Sequence, residues 1–235
     1  MNKTKYQQIE DYIIHQIESG QLKTGMQIMT EEQLCRQFSF SRMTVNKALQ
    51  HLTQQGYLSR IPGKGSFVKP PMIRQNTADV SSFTDDLKRI GLIAGARLLF
   101  YRVVEAHTVP TIQNKLQLND SDLVHSFARL RTGNDMPIAV SYTYVSAAIV
   151  QAIDVSRLTS SFYSYLDELG VVRIAKDIQL SARMPDEEQK KLLEIENTAL
   201  LKAATLTYTA CEDRIVPFEY NENYYNGDIY TYTFH

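Results

Sequence analysis

Arg42, Thr44, Asn46 and Lys47 stand close together in the run Ser41-Arg42-Met43-Thr44-Val45-Asn46-Lys47-Ala48-Leu49. These are residue types that hydrogen-bond phosphates and the edges of bases. Further along, Pro62-Gly63-Lys64-Gly65-Ser66-Phe67-Val68 holds a lysine between two glycines, as the tip of a cationic hairpin would. A second chemistry is written in Arg129-x-Arg131. Alternate residues on a strand face the same side, and two like charges there repel unless something anionic lies between them.

The elements that must position the first group are legible around it. Apolar residues recur at Ile9, Ile13 and Ile17 after Tyr6, the stripe of an amphipathic helix that Gly20 closes. Thr30-Glu31-Glu32-Gln33 is a capping-box pattern, opening a short helix whose buried face is Leu34 and Phe38. Ser39-Phe40 makes a tight connection, and Ser41 caps a further helix with Val45, Leu49 and Leu52 turned inward. Arg42, Met43, Thr44, Asn46 and Lys47 are thereby left largely free of the core. Leu58 to Ile61 and Ser66 to Val68 read as two short strands after Gly56. The ordered set is the outline of a winged helix-turn-helix: a helix for the major groove and a wing for the backbone or minor groove beside it. Arg42 and Lys47 alone would be ordinary solvated charges, and Lys64 an ordinary hairpin tip. The combination points to double-stranded DNA.

Composition divides the chain in the same place. The net charge of the 235 residues is −1, yet residues 1 to 74 hold ten basic and five acidic side chains, and the remainder fifteen and twenty-one. A basic head on an acidic body is expected when only one end meets phosphate. Pro70-Pro71 forbids helix continuation and stiffens an extended link, so the expected boundaries are 1–69 for the head, 70–79 for a polar linker and 80–235 for the body. Cys35 and Cys211 are the only cysteines, and no metal-ligand spacing exists. No apolar run reaches transmembrane length and the N-terminus lacks a signal-peptide core, so a cytoplasmic protein without membrane contact is expected.

The body opens with a Ser82-capped helix that ends near Gly91. Strand-like runs follow at 96–105, 124–130, 138–145, 174–183, 200–209, 218–224 and 230–234, interrupted by helical patterns at 109–116, 162–168 and 185–193. Thr132-Gly133-Asn134-Asp135 reads as a hairpin turn. Strands joined mainly by turns, with a few helices, predict an antiparallel sheet packed on helices: an α+β fold.

The head resembles the DNA-binding domain of the GntR family. The resemblance is carried by Gly25, Thr30-Glu31, Phe38, Ser41-Arg42-x-Thr44-Val45, Ala48-Leu49, Leu52, Gly56-Tyr57-Leu58 and Gly63-x-Gly65-Ser66-Phe67-Val68. It implies that Arg42 and Thr44 contact DNA and that Gly63 and Gly65 let the wing approach the duplex, with Asn46, Lys47 and Lys64 as the further candidates. Met29-Thr30 stands where the family often has Pro-Ser, and Glu32 where it often has a DNA-contacting Arg. Asn46 replaces a common Arg, a feature closer to the branch of histidine-utilisation repressors.

The body resembles the effector-binding (UTRA) domain of that HutC-type branch, whose fold is similar to chorismate lyase. The motifs are Ser82-Phe83-Thr84, Arg129-x-Arg131, Pro137-Ile138-Ala139 leading to Tyr144, Ser161-x-Tyr163, and Gly227-Asp228-x-Tyr230. In members that sense phosphorylated amino sugars, the matching residues hold the phosphate, which implies that role for Thr84, Arg129, Arg131, Ser161 and Tyr163. Two guanidiniums offer charge-assisted forks, to which hydroxyls add donors. Ser141 stands where many relatives carry Glu, so the other end of the ligand is expected to differ, with Glu219 and Glu222 as the nearby acidic candidates. The fourteen tyrosines are expected to be strand and core residues rather than sugar-stacking platforms.

These resemblances imply a ligand-responsive transcription regulator, most often a repressor, that binds a palindromic operator as a homodimer. The expected effector is a small anionic metabolite such as a sugar phosphate. The alternatives are a regulator sensing a non-phosphorylated carboxylate or amino-acid derivative, or a lyase-like enzyme fused to a DNA-binding head. With no paired general acid and base in view, no catalytic residue, cofactor or metal is expected, and a regulator rather than an enzyme.

Overall fold

The computed structural model describes residues 4–69, 73–76 and 82–233. By its contacts the chain divides into two units, Met1–Met72 and Ile73–His235.

In the first unit, α1 (Lys5–Glu18), α2 (Glu31–Phe38) and α3 (Arg42–Gln54) precede a hairpin of β1 (Leu58–Ile61) and β2 (Gly65–Val68). The capping box forms: Gln33 N donates to Thr30 Oγ1 at 3.2 Å and Thr30 N to Gln33 Oε1 at 2.8 Å. Ser39 takes a left-handed conformation to end α2, and Ser41 then caps α3. Ile9 and Ile13 meet Leu34, Val45, Leu49, Leu52, Leu58 and Val68 in one core. That core fixes which face of α3 is left outside. Gly65 has a backbone reason to be glycine: its φ is +117°, and a Cβ there would lie 2.5 Å from the Gln27 amide nitrogen. That amide donates to the Lys64 carbonyl at 2.8 Å, tying the wing tip to the segment before α2.

The second unit contains β3 (Ile73–Asn76), α4 (Phe83–Arg89), β4 (Ala94–Glu105), α5 (Pro110–Leu116), β5 (Leu123–Gly133), β6 (Met136–Ser146), α6 (Phe162–Glu168), β7 (Ala175–Arg183), α7 (Glu187–Leu193), β8 (Leu200–Cys211), β9 (Arg214–Asn226) and β10 (Tyr230–Thr233). Six strands form an antiparallel sheet in the order β4-β5-β6-β9-β8-β7, while β3 and β10 pair in parallel beside it. Asn134 and Asp135, both at positive φ, are the two-residue turn between β5 and β6, a geometry that suits the right-handed twist of the strands.

Two differences from the sequence reading have physical causes. Residues 73–76, expected within a polar linker, form a strand because Ile73 is fully buried with Leu87, Ile138 and Tyr230. Its partner β10 lies at the other end of the chain, beyond the reach of a local pattern. Residues 70–72, Pro70 and Pro71 among them, and residues 77–79 of that expected linker lie outside the described residues. Strand β9 begins at Arg214 rather than Phe218, since a register shift opposite Pro217 absorbs the missing donor.

Candidate functional site

Arg42 and Lys64 are exposed, Arg42 in the first turn of α3 and Lys64 at the wing tip between β1 and β2. Thr44 turns its hydroxyl to the capping Ser41, 3.0 Å away. The Lys47 ammonium lies 4.5 Å over the ring of Tyr6 on α1. Asn46 accepts from Arg60 Nη1 at 2.7 Å, and the same guanidinium is paired with Glu31. Gly63, at φ +74°, lets the chain turn at the tip. Not every member of the group is free, since Thr44, Asn46 and Lys47 have partners within the unit. Arg60 was not legible as a partner of Asn46, because the two are joined only when the wing folds against α3. Met43, 82 % exposed beside Arg42, is an apolar side chain the core does not use.

In the second unit, the strand register places one polar row across the sheet. Arg129 on β5 is opposite Ser141 on β6, which is opposite Asn223 on β9; Thr143, Asn221 and Thr205 form the next row. This face floors a pocket closed by α4 and α6. Thr84, Arg129, Arg131, Ser161, Tyr163 and Glu219 all line it. Arg129 and Arg131 are buried, at 2 % and 8 % exposure, and neither forms an ion pair among the described residues. Arg131 stacks 4.3 Å over Phe83 of α4, and Arg129 lies against the edge-to-face pair Phe127 and Phe162, 5.3 and 5.7 Å from their ring centres. The Nε of each is buried without a hydrogen-bond partner. Burial lowers the pKa of both guanidiniums, and for Arg129 the neighbouring Arg131 lowers it further.

Glu219 is fully buried and accepts on Oε2 from Tyr163 at 3.0 Å and Thr207 at 2.9 Å, while its Oε1 has no partner. Burial raises the Glu219 carboxyl pKa, against the two hydroxyl donors and Arg129. Ser161 caps α6 by accepting from Ser164 N at 3.3 Å, so it has a structural duty as well as a place on the pocket wall. Ser141 is a fully buried member of the row, and the carboxylate of this face comes from Glu219.

Glu222 does not belong here. Three residues from Glu219 on the same strand, it faces the other side of the sheet, where Lys202, Tyr220 and Tyr224 donate to it. The period of two excludes both glutamates from one pocket, and the expectation for Glu222 is corrected accordingly.

The pocket also contains Arg173, Asn221 and Gln75. Arg173 stacks 4.5 Å over Tyr163 and pairs with Asp167 at 2.8 Å. Asn221 donates to Thr143 at 2.7 Å and leaves its carbonyl oxygen unpartnered. Continuing the in-facing alternation from Glu219 along β9 would have found Asn221; nothing local marks Gln75 on β3. Among the described residues no three His, Cys, Asp or Glu side chains cluster as a metal ion requires, and no helix is long and apolar enough to cross a membrane.

A winged helix-turn-helix unit joined to a polar-floored sheet domain defines a class, that of two-domain DNA-binding regulators. Residues 5–68 match the model of bacterial regulatory proteins of the gntR family, and residues 90–231 match the UTRA domain. The chain is 30 % identical to the mannosyl-D-glycerate transport/metabolism system repressor MngR of Escherichia coli, over 99 % of this chain and 95 % of that one. It is 29 % identical to the HTH-type transcriptional repressor NagR of Bacillus subtilis, over 97 % and 92 %. The crystal structure of PhnF from Mycobacterium smegmatis shares the fold, with a TM-score of 0.78 at 22 % identity over 99 % of this chain and 98 % of that chain. The chain belongs to the GntR family, in its HutC-type branch with a UTRA domain, and is a DNA-binding transcriptional repressor of that type.

Proposed function

We propose that this repressor is controlled by a small anionic metabolite, a sugar phosphate by preference, bound between Arg129 and Arg131. The observation that carries the reading is the pair itself: two buried guanidiniums on one face of β5, without a carboxylate partner and each with an orphaned Nε. A buried cation without a direct ion-pair partner is costly, and an oxyanion accepting from both reduces that cost. Thr84, Ser161 and Tyr163 line the same pocket. At the other end, Glu219 Oε1 and Asn221 Oδ1 offer acceptors, which suit the hydroxyls of a sugar. The relative MngR is the repressor of a mannosyl-D-glycerate system, which agrees with a sugar-related ligand.

A second reading, an amino-acid derivative with carboxylate at the arginines and ammonium at Glu219, draws on that same carboxylate. Neither reading needs catalysis, and we infer a sensor rather than an enzyme. The heads, by this account, contact a palindromic operator through α3 and the wing, in a homodimer acting in the cytoplasm. The contacts are assigned to Arg42, Thr44, Asn46, Lys47 and Lys64, with Gly63 and Gly65 shaping the wing. Residues 1–69 and 80–235 act as the DNA-binding and effector modules. Gln75 gives the ligand a route to the head, since β3 is the first element after it in the chain and lines the pocket. Coupling then requires the ligand to favour one head arrangement over another.

The experiment is a thermal-shift screen of sugar phosphates, free sugars, carboxylates and amino acids, since a ligand of the folded state raises stability by mass action. A sugar phosphate that stabilises, where the free sugar does not, supports the first reading. Stabilisation by amino acids alone supports the second, and turnover of any compound overturns the sensor assignment.

A further inference from the structure

We propose that Arg60 sets the base preference of Asn46, so that Asn46 selects a guanine or thymine in each half-site rather than an adenine. The inference rests on the reading above that α3 offers Asn46 to the major groove, and adds which base edge it meets.

Arg60 lies on β1, and its Nη1 donates to Asn46 Oδ1 at 2.7 Å. Its Nη2 is paired with Glu31 at the start of α2. One guanidinium thus ties together the wing, the recognition helix and the helix before it. A guanidinium only donates, so the carboxamide must turn its oxygen toward Arg60, whatever the groups around it. The Glu31 carboxylate holds the guanidinium from the far side by a charge-assisted bond, with Arg60 34 % and Glu31 39 % exposed. The amide nitrogen of Asn46 has no partner among the described residues, which leaves two donors for DNA.

An unconstrained asparagine reads adenine with both ends: its oxygen accepts from the N6 amino group while its nitrogen donates to N7. Here the oxygen already accepts from a cation. A second lone pair remains on that oxygen, but an adenine amino group using it would bring its own hydrogens against the guanidinium. Guanine offers O6 and N7, and thymine O4, all acceptors that match the two free donors. Cytosine presents its amino group at this edge and is disfavoured for the same reason as adenine. Asn46 alone would therefore be read as an adenine contact; Arg60 reverses the preference.

The test is site selection from a randomised duplex library by the full-length protein, comparing wild type, Asn46→Ala and Arg60→Ala. Asn46→Ala should abolish the preference at one position in each half-site and so locate the base that Asn46 reads. At that position the wild type should favour guanine or thymine over adenine by about fivefold or more. Arg60→Ala should move the preference there toward adenine and leave the other positions of the motif alone. A wild-type choice of adenine at the located position overturns the proposal, as does an unchanged choice in Arg60→Ala. If Asn46→Ala selects the wild-type motif at full strength, the groove-facing reading of Asn46 itself fails, and the proposal with it. The wild-type and Asn46→Ala pair keeps the proposal open to refutation even if Arg60→Ala does not fold.

Discussion

Tyr163 of α6 donates its phenolic hydrogen to Oε2 of Glu219 on β9 at 3.0 Å, in the pocket that Arg129 and Arg131 also line. Burial and the Glu219 charge push the Tyr163 pKa far up, so the hydroxyl keeps the hydrogen it donates. The single phenolic hydrogen of Tyr163 is thus committed to the carboxylate, and Glu219 depends on it together with Thr207.

The first prediction follows from that dependence. Tyr163→Phe removes one of two donors from a fully buried carboxylate and should destabilise the protein by about 1–3 kcal/mol. Urea unfolding checks it. A stability unchanged from wild type would mean that Glu219 is not held as described.

Arg42→Ala should weaken operator binding, because an exposed guanidinium in the first turn of α3 is placed to meet base edges. Loss of a bidentate base contact costs about 1–3 kcal/mol. Titration of operator DNA at matched salt measures it, and unchanged affinity in a folded variant removes Arg42 from the contact set.

Lys64→Ala should lower affinity for operator and random duplex alike. The slope of log K against log salt should shrink by about one ion if the wing tip meets phosphate. A loss confined to operator DNA would instead place Lys64 in the groove as a reader of sequence.

His125 gives a pH dependence with a definite sign. Its Nε2 is 2.8 Å from the Val150 carbonyl, which can only accept, so Nε2 carries the hydrogen and Nδ1 accepts from Tyr101 at 2.8 Å. Burial lowers its pKa below the ordinary 6.5, against the raising effect of the Val150 bond. The unfolded chain then binds the proton more readily than the folded one. Stability is fully present above pH 6.5 and is lost as pH falls toward and through the lower folded value. His125→Gln should flatten that part of the profile in urea unfolding across the pH range, and parallel profiles would contradict the assignment.

What was legible in the sequence was what local pattern controls. Thr30 with Gln33, Ser41, and the spacing of Ile9, Ile13, Val45, Leu49 and Leu52 specify the head within short windows, and the caps and core follow. Thr84, Arg129, Arg131, Ser161 and Tyr163, which motifs mark, come together in one pocket with Glu219, which only its place on a late strand suggests. Long-range pairing was not legible. The strand at Ile73 exists only against Tyr230, and the bond from Arg60 to Asn46 exists only once the wing closes on α3. Glu222 shows the cost of naming residues by neighbourhood in sequence: parity along β9, once counted from Glu219, sends it to the opposite face.

The proposed control is by an anion held by Arg129 and Arg131, which changes DNA binding by the head. Its most direct measurement is an operator-binding titration with the best sugar phosphate from the thermal screen, for wild type, Arg131→Ala and Arg131→Lys. Without ligand, all three should bind operator nearly equally. With ligand, only the wild type should change its affinity, since neither alanine nor the point charge of lysine reproduces a planar two-donor fork. If both variants respond at wild-type ligand concentrations, the anion site lies elsewhere and the account is wrong.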